Sequence, residues 1–253
     1  MRISSLAAVI LAGVLLVAAG CGQKAESTLD RVERTKVLRI GTDATYPPFE
    51  TVNTATGRPE GFDIDLVEAI CARQGWRAEI IVTPFDGIVP GLTGEKYDLI
   101  ISAFTITPER AGAVLFSDPY YDAGQSIAVP LEETTIKTLA DLTGKKVGVQ
   151  LGTTGERLAS SLPGVEVISF ENIGSAFIDM ENGRLDAVLN DLPTSTKLIG
   201  TRGRAMIVAQ GLSDEKYGMA VRPADTTLIE AVNQALQEFK ESGLIEQLQA
   251  KWF

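Results

Sequence analysis

The sequence predicts an α/β fold of two lobes, each a mostly parallel sheet flanked by helices. Three observations support this prediction. Short apolar runs alternate with helix-periodic segments, and they do so twice along the chain. The roughly 215 residues from Val37 onward exceed what a single core usually holds. Two amphipathic helices close the chain. We expect a first lobe at residues 37–124 plus 218–253, a second at 125–212, and a hinge near 120–126 and 213–218.

The first set of elements begins with predicted strands at 37–42, 78–82 and 97–102. Helices are predicted between them, at 61–74 and 86–92. Thr107-Pro108-Glu109 indicates a further helix start, because Thr is a good N-cap and Pro suits the first turn. This βαβαβα order is typical of a parallel sheet covered by helices.

A second set follows, with strands predicted at 126–129, 146–149, 165–169, 186–189 and 205–208. Helical segments are predicted at 155–161, 172–182 and 193–199. A strand at 217–221 returns the chain to the first lobe, and apolar stripes on either side of Ser242-Gly243 indicate the two closing helices. Ligands of open α/β sheets bind at the carboxyl ends of strands, so the cleft between the lobes is the expected site.

The composition excludes several kinds of function. With 23 Lys+Arg against 33 Asp+Glu, the formal net charge is −10, which argues against a nucleic-acid partner. The chain has no histidine, which excludes histidine triads and histidine metal sites. Its two cysteines are too few for a four-thiolate site. We therefore expect no metal and no cofactor, although an enzyme working with carboxylates or lysine stays open.

The N-terminus has the pattern of a targeting segment. Arg2 precedes an apolar run over residues 6–19, and small residues stand directly before Cys21. That ending resembles a bacterial lipobox, although Ala18 stands where Leu is most usual. We expect a lipoprotein signal peptide at 1–20, a lipidated (palmitate-bearing) Cys21 and a flexible polar tether at 21–36. A plain signal peptide is the alternative. Cys71, on an apolar helical stripe, is expected to be a buried thiol.

Gly61-Phe62-Asp63-Ile64-Asp65-Leu66 closely resembles the signature of the family 3 solute-binding proteins of ABC importers. Further stretches resemble the same family in the same order: GTDATYPPFE (41–50), DLIISAFTITPER (98–110), FSDPYY (116–121), GVQLGTT (148–154), DAVLNDLP (186–193) and the closing KWF (251–253). The resemblance covers the chain from about Val37 onward. It implies a periplasmic-binding-protein-like clamp (type II) that captures a free L-amino acid and delivers it to a membrane permease. The expected protein is a monomer held outside the cytoplasm on a lipid anchor, in a periplasm or at a cell surface.

The resemblance assigns residues to the two charged groups of an amino acid. Arg110, in a first helical turn, would hold the carboxylate with two parallel hydrogen bonds, or it is a solvated arginine. Asp191, at the end of a strand, would neutralise the ammonium, or it only caps a helix. Thr154 follows a Gly/Thr turn and would be a second carboxylate anchor. Backbone N–H groups near Ser102, Ala103 and Thr105 would assist Arg110.

Four further residues would form the side-chain pocket. Tyr46 and Phe85 resemble the two walls between which the ligand side chain lies, with ordinary core packing as the alternative. Asp43 would face the distal polar group. Gln150 stands where some glutamine-binding relatives carry Lys, so Asp43 lacks a nearby fixed cation. This favours arginine, lysine or histidine over glutamine or another polar amino acid.

Two other functions stay open. Some proteins of this scaffold are cyclohexadienyl dehydratases with a glutamate proton donor, and Glu156 stands near the corresponding place. A glutamate in the first turn of a helix is also favoured by the helix dipole alone. A sensor would need a separate signalling partner. We expect a binding protein rather than an enzyme.

Overall fold

The computed structural model describes residues 26–253. The expected signal peptide, the lipidation at Cys21 and the start of the expected tether lie outside the described residues. The helices are α1 (Thr28–Thr35), α2 (Phe62–Gln74), α3 (Ile88–Thr93), α4 (Pro108–Ala111), α5 (Thr154–Ser161), α6 (Ile173–Glu181), α7 (Leu192–Arg202), α8 (Thr226–Ser242) and α9 (Leu244–Trp252). Short 3₁₀ turns occur at Phe85–Gly87 and Leu139–Leu142.

The strands form two large sheets and two small ones. They are β1 (Val37–Thr42), β2 (Thr45–Tyr46), β3 (Glu50–Val52), β4 (Pro59–Glu60), β5 (Arg77–Val82), β6 (Leu99–Ile100), β7 (Leu115–Phe116), β8 (Tyr121–Ala123), β9 (Gln125–Pro130), β10 (Lys146–Gln150), β11 (Glu166–Phe170), β12 (Ala187–Asp191), β13 (Ala205–Ala209), β14 (Glu215–Tyr217) and β15 (Ala220–Val221).

The first lobe is built on a five-stranded sheet of order β5-β1-β6-β15-β7. Strand β1 pairs in parallel with β5 and β6, whereas β15 is antiparallel to both of its neighbours. Four of the five strands therefore run in one direction. The reversed strand, β15, is the one that returns from the second lobe. Helix α2 packs against this sheet, and α8 and α9 pack against α2.

The second lobe repeats this arrangement in a sheet of order β11-β10-β12-β9-β13. Strand β10 pairs in parallel with β11 and β12, while β9 is antiparallel to β12 and β13. The reversed strand, β9, is again the first strand that the chain forms after it crosses from the other lobe. Each sheet is thus mostly parallel, as the alternation of elements predicts.

The chain passes between the lobes in two adjacent segments, which pair as the antiparallel strands β8 and β14. The single strand predicted at 217–221 is divided into β14 and β15. Gly218 stands at the division, where a Cβ atom would lie 2.9 Å from the Ile106 side chain. The small sheet of β2, β3 and β4 was not predicted, because its strands have only two or three residues each.

The expected tether is wrong for residues 28–35, which form helix α1 on the first lobe. Ser27 and Asp30 make a capping box that starts the helix. Val32 is fully buried, and Arg31 pairs with the buried carboxylate of Asp98. The half-buried Leu29 packs against the same core, and Glu33 accepts a hydrogen bond from the Trp76 indole. Two apolar side chains are too few to form a stripe that the sequence would show. Within the described range, no helix combines the length and apolarity needed to span a membrane.

Candidate functional site

The cleft between the lobes brings together residues that follow strand ends in both sheets. Gln150 and Asp191 end β10 and β12, and Asp43 follows β1. Every side chain that the sequence places in the site lies in a buried or nearly buried position, except Thr154, which is half-buried. Several contacts cross directly from one lobe to the other, so the two sets of candidate residues form one cluster.

Arg110 lies in the short helix α4, which begins as predicted at Thr107 and Pro108. The Thr107 hydroxyl accepts a hydrogen bond from the Arg110 N–H at 3.2 Å. The Arg110 guanidinium donates to the carbonyl of Thr105 (2.9 Å) and, across the cleft, to the carbonyl of Gly152 (3.1 Å). It also lies 4.3 Å from the ring centroid of Phe104. These contacts fix the plane of the guanidinium and leave three of its five N–H donors for a further acceptor.

Arg110 is only 9 % exposed, and burial lowers its pKa to about 10. Nearby Arg157 also lowers the pKa, whereas the carboxylates of Asp191 and Glu215 raise it. The guanidinium therefore stays positive at neutral pH. A buried cation held by neutral carbonyl groups is a strong site for an anionic group of a ligand.

Asp191 stands at the start of α7, but its carboxylate makes no capping hydrogen bond to that helix. It accepts instead from the hydroxyls of Tyr46 (2.8 Å) and Tyr217, and from the side-chain amide of Gln125. Burial first, and then the charge of Glu215, raise the pKa of Asp191 to about 6, against the lowering effect of the tyrosine hydrogen bonds. The carboxylate thus faces the cleft and not the helix it precedes.

Asp43 accepts from the amide of Gln150 across the cleft (2.6 Å) and from the Thr45 hydroxyl (2.9 Å). Both donors are neutral, and in the described part of the chain no cation contacts the Asp43 carboxylate. Burial raises the pKa of Asp43 to about 6, and the charges of Glu171 and Asp86 add to this effect.

Tyr46 and Phe85 have different surroundings. The Tyr46 hydroxyl bridges to the second lobe through Asn190 (2.7 Å) and Asp191. The Phe85 ring lies 5.3 Å from the Arg110 guanidinium carbon and lines a cavity of about 280 Å³. This cavity is also bounded by Arg110, Gly152 and Glu156 from both lobes. A larger cavity of about 510 Å³ lies between α7 and the C-terminal Trp252-Phe253, and none of the predicted site residues lines it.

The expectation for Ala103 is wrong, because its N–H group donates to the buried Asp63 (2.7 Å) and is not available to a ligand. The neighbouring Ser102 hydroxyl donates to Glu50 (2.6 Å). Thr105 and Thr154 do meet across the cleft, since both hydroxyls donate to one oxygen of Glu215, at 2.9 and 2.8 Å.

Sequence reasoning missed Glu215, Gln125 and Tyr217, which lie in or beside the two connecting segments. Glu215 is 7 % exposed and also accepts from the hydroxyl of Ser213 (2.7 Å). The Gln125 amide donates to both Asp191 and Glu215. The only signal was a polar residue at the start of an apolar strand in each segment. The sequence predicts these segments only as connections between the lobes.

Comparisons with known proteins give a consistent picture. Residues 38–253 match the family described as bacterial extracellular solute-binding proteins, family 3. The chain is 36 % identical to ABC transporter arginine-binding protein 1 of Escherichia coli K12, over 85 % of this chain and 90 % of that protein.

Two solved structures share the fold. A mutant of ArgBP from T. maritima is 42 % identical, with a TM-score of 0.86, over 89 % of this chain and 98 % of that one. The ancestral amino acid-binding protein AncCDT-1, described as a precursor of cyclohexadienyl dehydratase, is 40 % identical, with a TM-score of 0.85, over 90 % and 100 % of the two chains. The predicted two-lobed α/β fold is thereby confirmed, and the chain belongs to family 3 of the bacterial extracellular solute-binding proteins.

Proposed function

We propose that this protein binds a basic L-amino acid between its lobes and delivers it to the permease of an ABC importer. One observation carries the choice of a basic ligand. The buried cluster where the lobes meet contains three carboxylates, of Asp43, Asp191 and Glu215, but only one guanidinium, that of Arg110. Uncompensated buried charge is costly, and a ligand with a net positive charge reduces the imbalance. Arginine, lysine and protonated histidine have this property, whereas glutamine does not.

The site offers a partner for each charged group of such a ligand. Arg110 binds the ligand carboxylate, with Thr154 at the start of α5 as the second anchor. Asp191 binds the ammonium from the other lobe. The side chain then extends between Tyr46 and Phe85 toward Asp43. The arginine-binding protein of E. coli that the chain is similar to supports this assignment.

The lobes would close around the ligand by bending at residues 120–126 and 213–218. The pairing of β8 with β14 places these two segments side by side, which supports a common hinge. A ligand held by Arg110 and Asp191 makes its full set of contacts only when the lobes are together. Its binding energy therefore favours the closed arrangement.

Calorimetric titration against the twenty amino acids tests the proposal, after unfolding and refolding to remove carried-over ligand. We expect one site per chain that prefers arginine or lysine. Replacing Arg110 by Ala should weaken binding on the order of a hundredfold, because a charged hydrogen-bond pair is lost in a buried site. Arg184→Ala is the control, since that arginine is 61 % exposed and pairs with Asp179 within the second lobe. Unchanged affinity in Arg110→Ala would contradict the central assignment.

Glu156 favours binding over catalysis. One of its carboxylate oxygens accepts from the Gly152 N–H at 2.7 Å and the other accepts from the Ser169 hydroxyl. Both oxygens thus hold the turn at the start of α5, as expected for a structural glutamate. We propose that the protein is not an enzyme. Turnover of prephenate that is abolished by Glu156→Gln would reverse this conclusion.

We also propose that residues 1–20 are a lipoprotein signal peptide, and that the mature protein is a monomer anchored by lipid on Cys21 outside the cytoplasm. Incorporation of labelled palmitate during bacterial expression tests this. Cys21→Ser should abolish the label and release the protein from the membrane fraction. Cys71→Ser is the control, because Cys71 is buried in the first lobe. Label that persists in Cys21→Ser would refute the anchor.

A further inference from the structure

The proposed ligand contacts give no role to the first aspartate of the Gly-Phe-Asp-Ile-Asp-Leu stretch, Asp63. Asp63 lies in the first turn of α2 and is 0 % exposed. Glu50 of β3 is equally buried. The two carboxyl groups are neighbours behind the turn that follows β6, because Glu50 accepts from the Ser102 hydroxyl and Asp63 accepts from the Ala103 N–H.

Each of the two acids holds a piece of backbone at the edge of the amino-acid site. Asp63 accepts from the Ala103 N–H (2.7 Å) and from the Tyr120 hydroxyl (2.9 Å). Glu50 accepts from the Ser102 hydroxyl (2.6 Å), and the same Ser102 oxygen accepts from the Asp43 N–H (3.1 Å). The pair therefore reaches Asp43 through one intervening side chain.

The Ser102–Ala103 turn needs this support. Ala103 has φ 43°, in the left-handed region that a residue with a Cβ atom adopts only at a cost. The hydrogen bond to Asp63 holds its N–H in that conformation. Five residues later, at Pro108, the chain begins α4, which carries Arg110. A shift of this turn would therefore displace two proposed ligand contacts, Asp43 through its hydrogen bond to Ser102 and Arg110 through α4.

The charges around the pair are unfavourable for two carboxylates. The titratable groups that face the pair are Asp43, itself an acid, and the Tyr120 phenol. Within residues 26–253, no lysine or arginine contacts either acid. Glu50 Oε2 and Asp63 Oδ1 have no hydrogen-bond donor among the described residues. One proton placed between these two oxygens satisfies both and removes one of two neighbouring buried charges.

We propose that Glu50 and Asp63 share one proton at neutral pH, and that this pair positions the Ser102–Ala103 turn and Asp43 for ligand binding. Burial and mutual repulsion raise the pKa of Asp63 to about 7 and that of Glu50 well above its usual range. The positioning role rests on the proposed function, whereas the shared proton rests only on the contacts of the pair.

The shared proton predicts how stability depends on pH. Between about pH 5 and 7 the folded chain keeps a proton that the unfolded chain has released. The folded state therefore loses stability as pH rises through this range, by up to about tenfold in the folding equilibrium constant per pH unit. Glu50→Gln keeps the hydrogen bonds to Ser102 and Asp63 through its carbonyl and amide, but it has no proton to release. This contribution should vanish in that variant.

Urea unfolding without ligand, at several pH values from 5 to 8, measures this contribution. Asp65→Asn is the matched control, because Asp65 lies in the same turn of α2 but contacts Lys251 and Trp252. We expect the wild type and Asp65→Asn to share the pH dependence. Glu50→Gln should lose the part that extends above about pH 6, because the raised pKa values of Asp43 and Asp191, about 6 each, account for the part below it. The infrared C=O band of a buried protonated carboxyl should likewise be present at pH 7.5 in the first two and absent in Glu50→Gln. An unchanged pH dependence in Glu50→Gln would overturn the shared proton.

Titration with L-arginine tests the positioning role. Glu50→Leu loses the contacts with both Ser102 and Asp63, so its Kd should rise about tenfold or more, and Glu50→Gln should restore most of the loss. If Glu50→Leu does not fold, Ser102→Ala breaks the same connection to Asp43 and should raise the Kd. Wild-type affinity in the folded variant would overturn the positioning role. If the wild type binds no amino acid at all, the proposed function and the positioning role both fail, while the unfolding result still decides the shared proton.

Discussion

In the proposed site, Asp43 is the side chain on which the choice of ligand would depend most directly. Its hydrogen-bond donors, Gln150 and Thr45, are both neutral, so a cationic ligand side chain would be its charged partner. Asp43→Asn should weaken arginine binding by about tenfold to a hundredfold, since a charged hydrogen bond contributes about 1.5–3 kcal/mol. Glutamine, which carries no side-chain charge, should lose much less affinity.

Calorimetric titration of Asp43→Asn with both amino acids measures this difference. Asp118→Asn is the control, because Asp118 is exposed and lies against α8, outside the candidate site. Equal losses for arginine and glutamine would mean that Asp43 does not distinguish ligand charge.

Glu215 should control how ligand binding depends on pH. The ammonium needs an ionised Asp191, whose pKa is raised to about 6 by burial and by Glu215. Affinity for lysine should therefore fall as pH decreases through about 6. Glu215→Gln removes the neighbouring charge, so the pKa of Asp191 should decrease and the decline in affinity should move to lower pH.

The Kd for lysine between pH 5 and 8 gives the midpoint of this decline in each variant. It is measured with Asp43→Asn in every variant, because the pKa of Asp43 is also raised to about 6. Asp214→Asn removes a charge from the adjacent exposed residue and should leave the midpoint in place. A midpoint that stays or rises in Glu215→Gln would show that Glu215 does not act on Asp191 through its charge.

Among the secondary-structure elements, α1 gives the clearest test of docking. Val32 is the buried side chain of this helix and is 0 % exposed. Val32→Ala should lower the free energy of unfolding by about 2 kcal/mol, because it removes buried apolar groups and leaves a small cavity.

Arg34→Ala in the same helix is the control, since its side chain is 62 % exposed and pairs only with Glu26 at the surface. Urea unfolding compares the two. If both variants match the wild type, α1 is not part of the folded lobe, and the expectation of a tether would hold for these residues too.

How well the sequence predicts each element depends on the number of residues that carry its pattern. Strands β1 and β10 have five or six residues each, and they lie where the sequence predicts them. Their apolar side chains are Val37, Leu38 and Ile40 in β1 and Val147 and Val149 in β10. Strands β2 to β4 have only two or three residues each, which is too short for the sequence to show the alternation of apolar and polar residues that indicates a strand. Glu215 was missed because its role depends on a chain crossing that brings Thr105 and Thr154 to one oxygen. No local pattern encodes that contact.

At the scale of the whole molecule, the lobes are joined by apolar packing as well as by the ligand site. One hydrophobic cluster is continuous from Leu66 in the first lobe to Phe177 in the second. Helix α6 of the second lobe packs against β2 of the first, which carries Tyr46. A ligand that bridges Arg110 and Asp191 should therefore stabilise both lobes together.

Both tryptophans, Trp76 and Trp252, lie in the first lobe, so their fluorescence reports on that lobe, whereas circular dichroism reports on both. At a hundred times its Kd, L-arginine should raise the free energy of unfolding by about 2.7 kcal/mol. The urea transitions seen by the two signals should shift together, and Arg110→Ala or D-arginine should give little shift. A shift in circular dichroism without a matching shift in fluorescence would mean that the ligand binds the second lobe alone, and it would refute a site shared between the lobes.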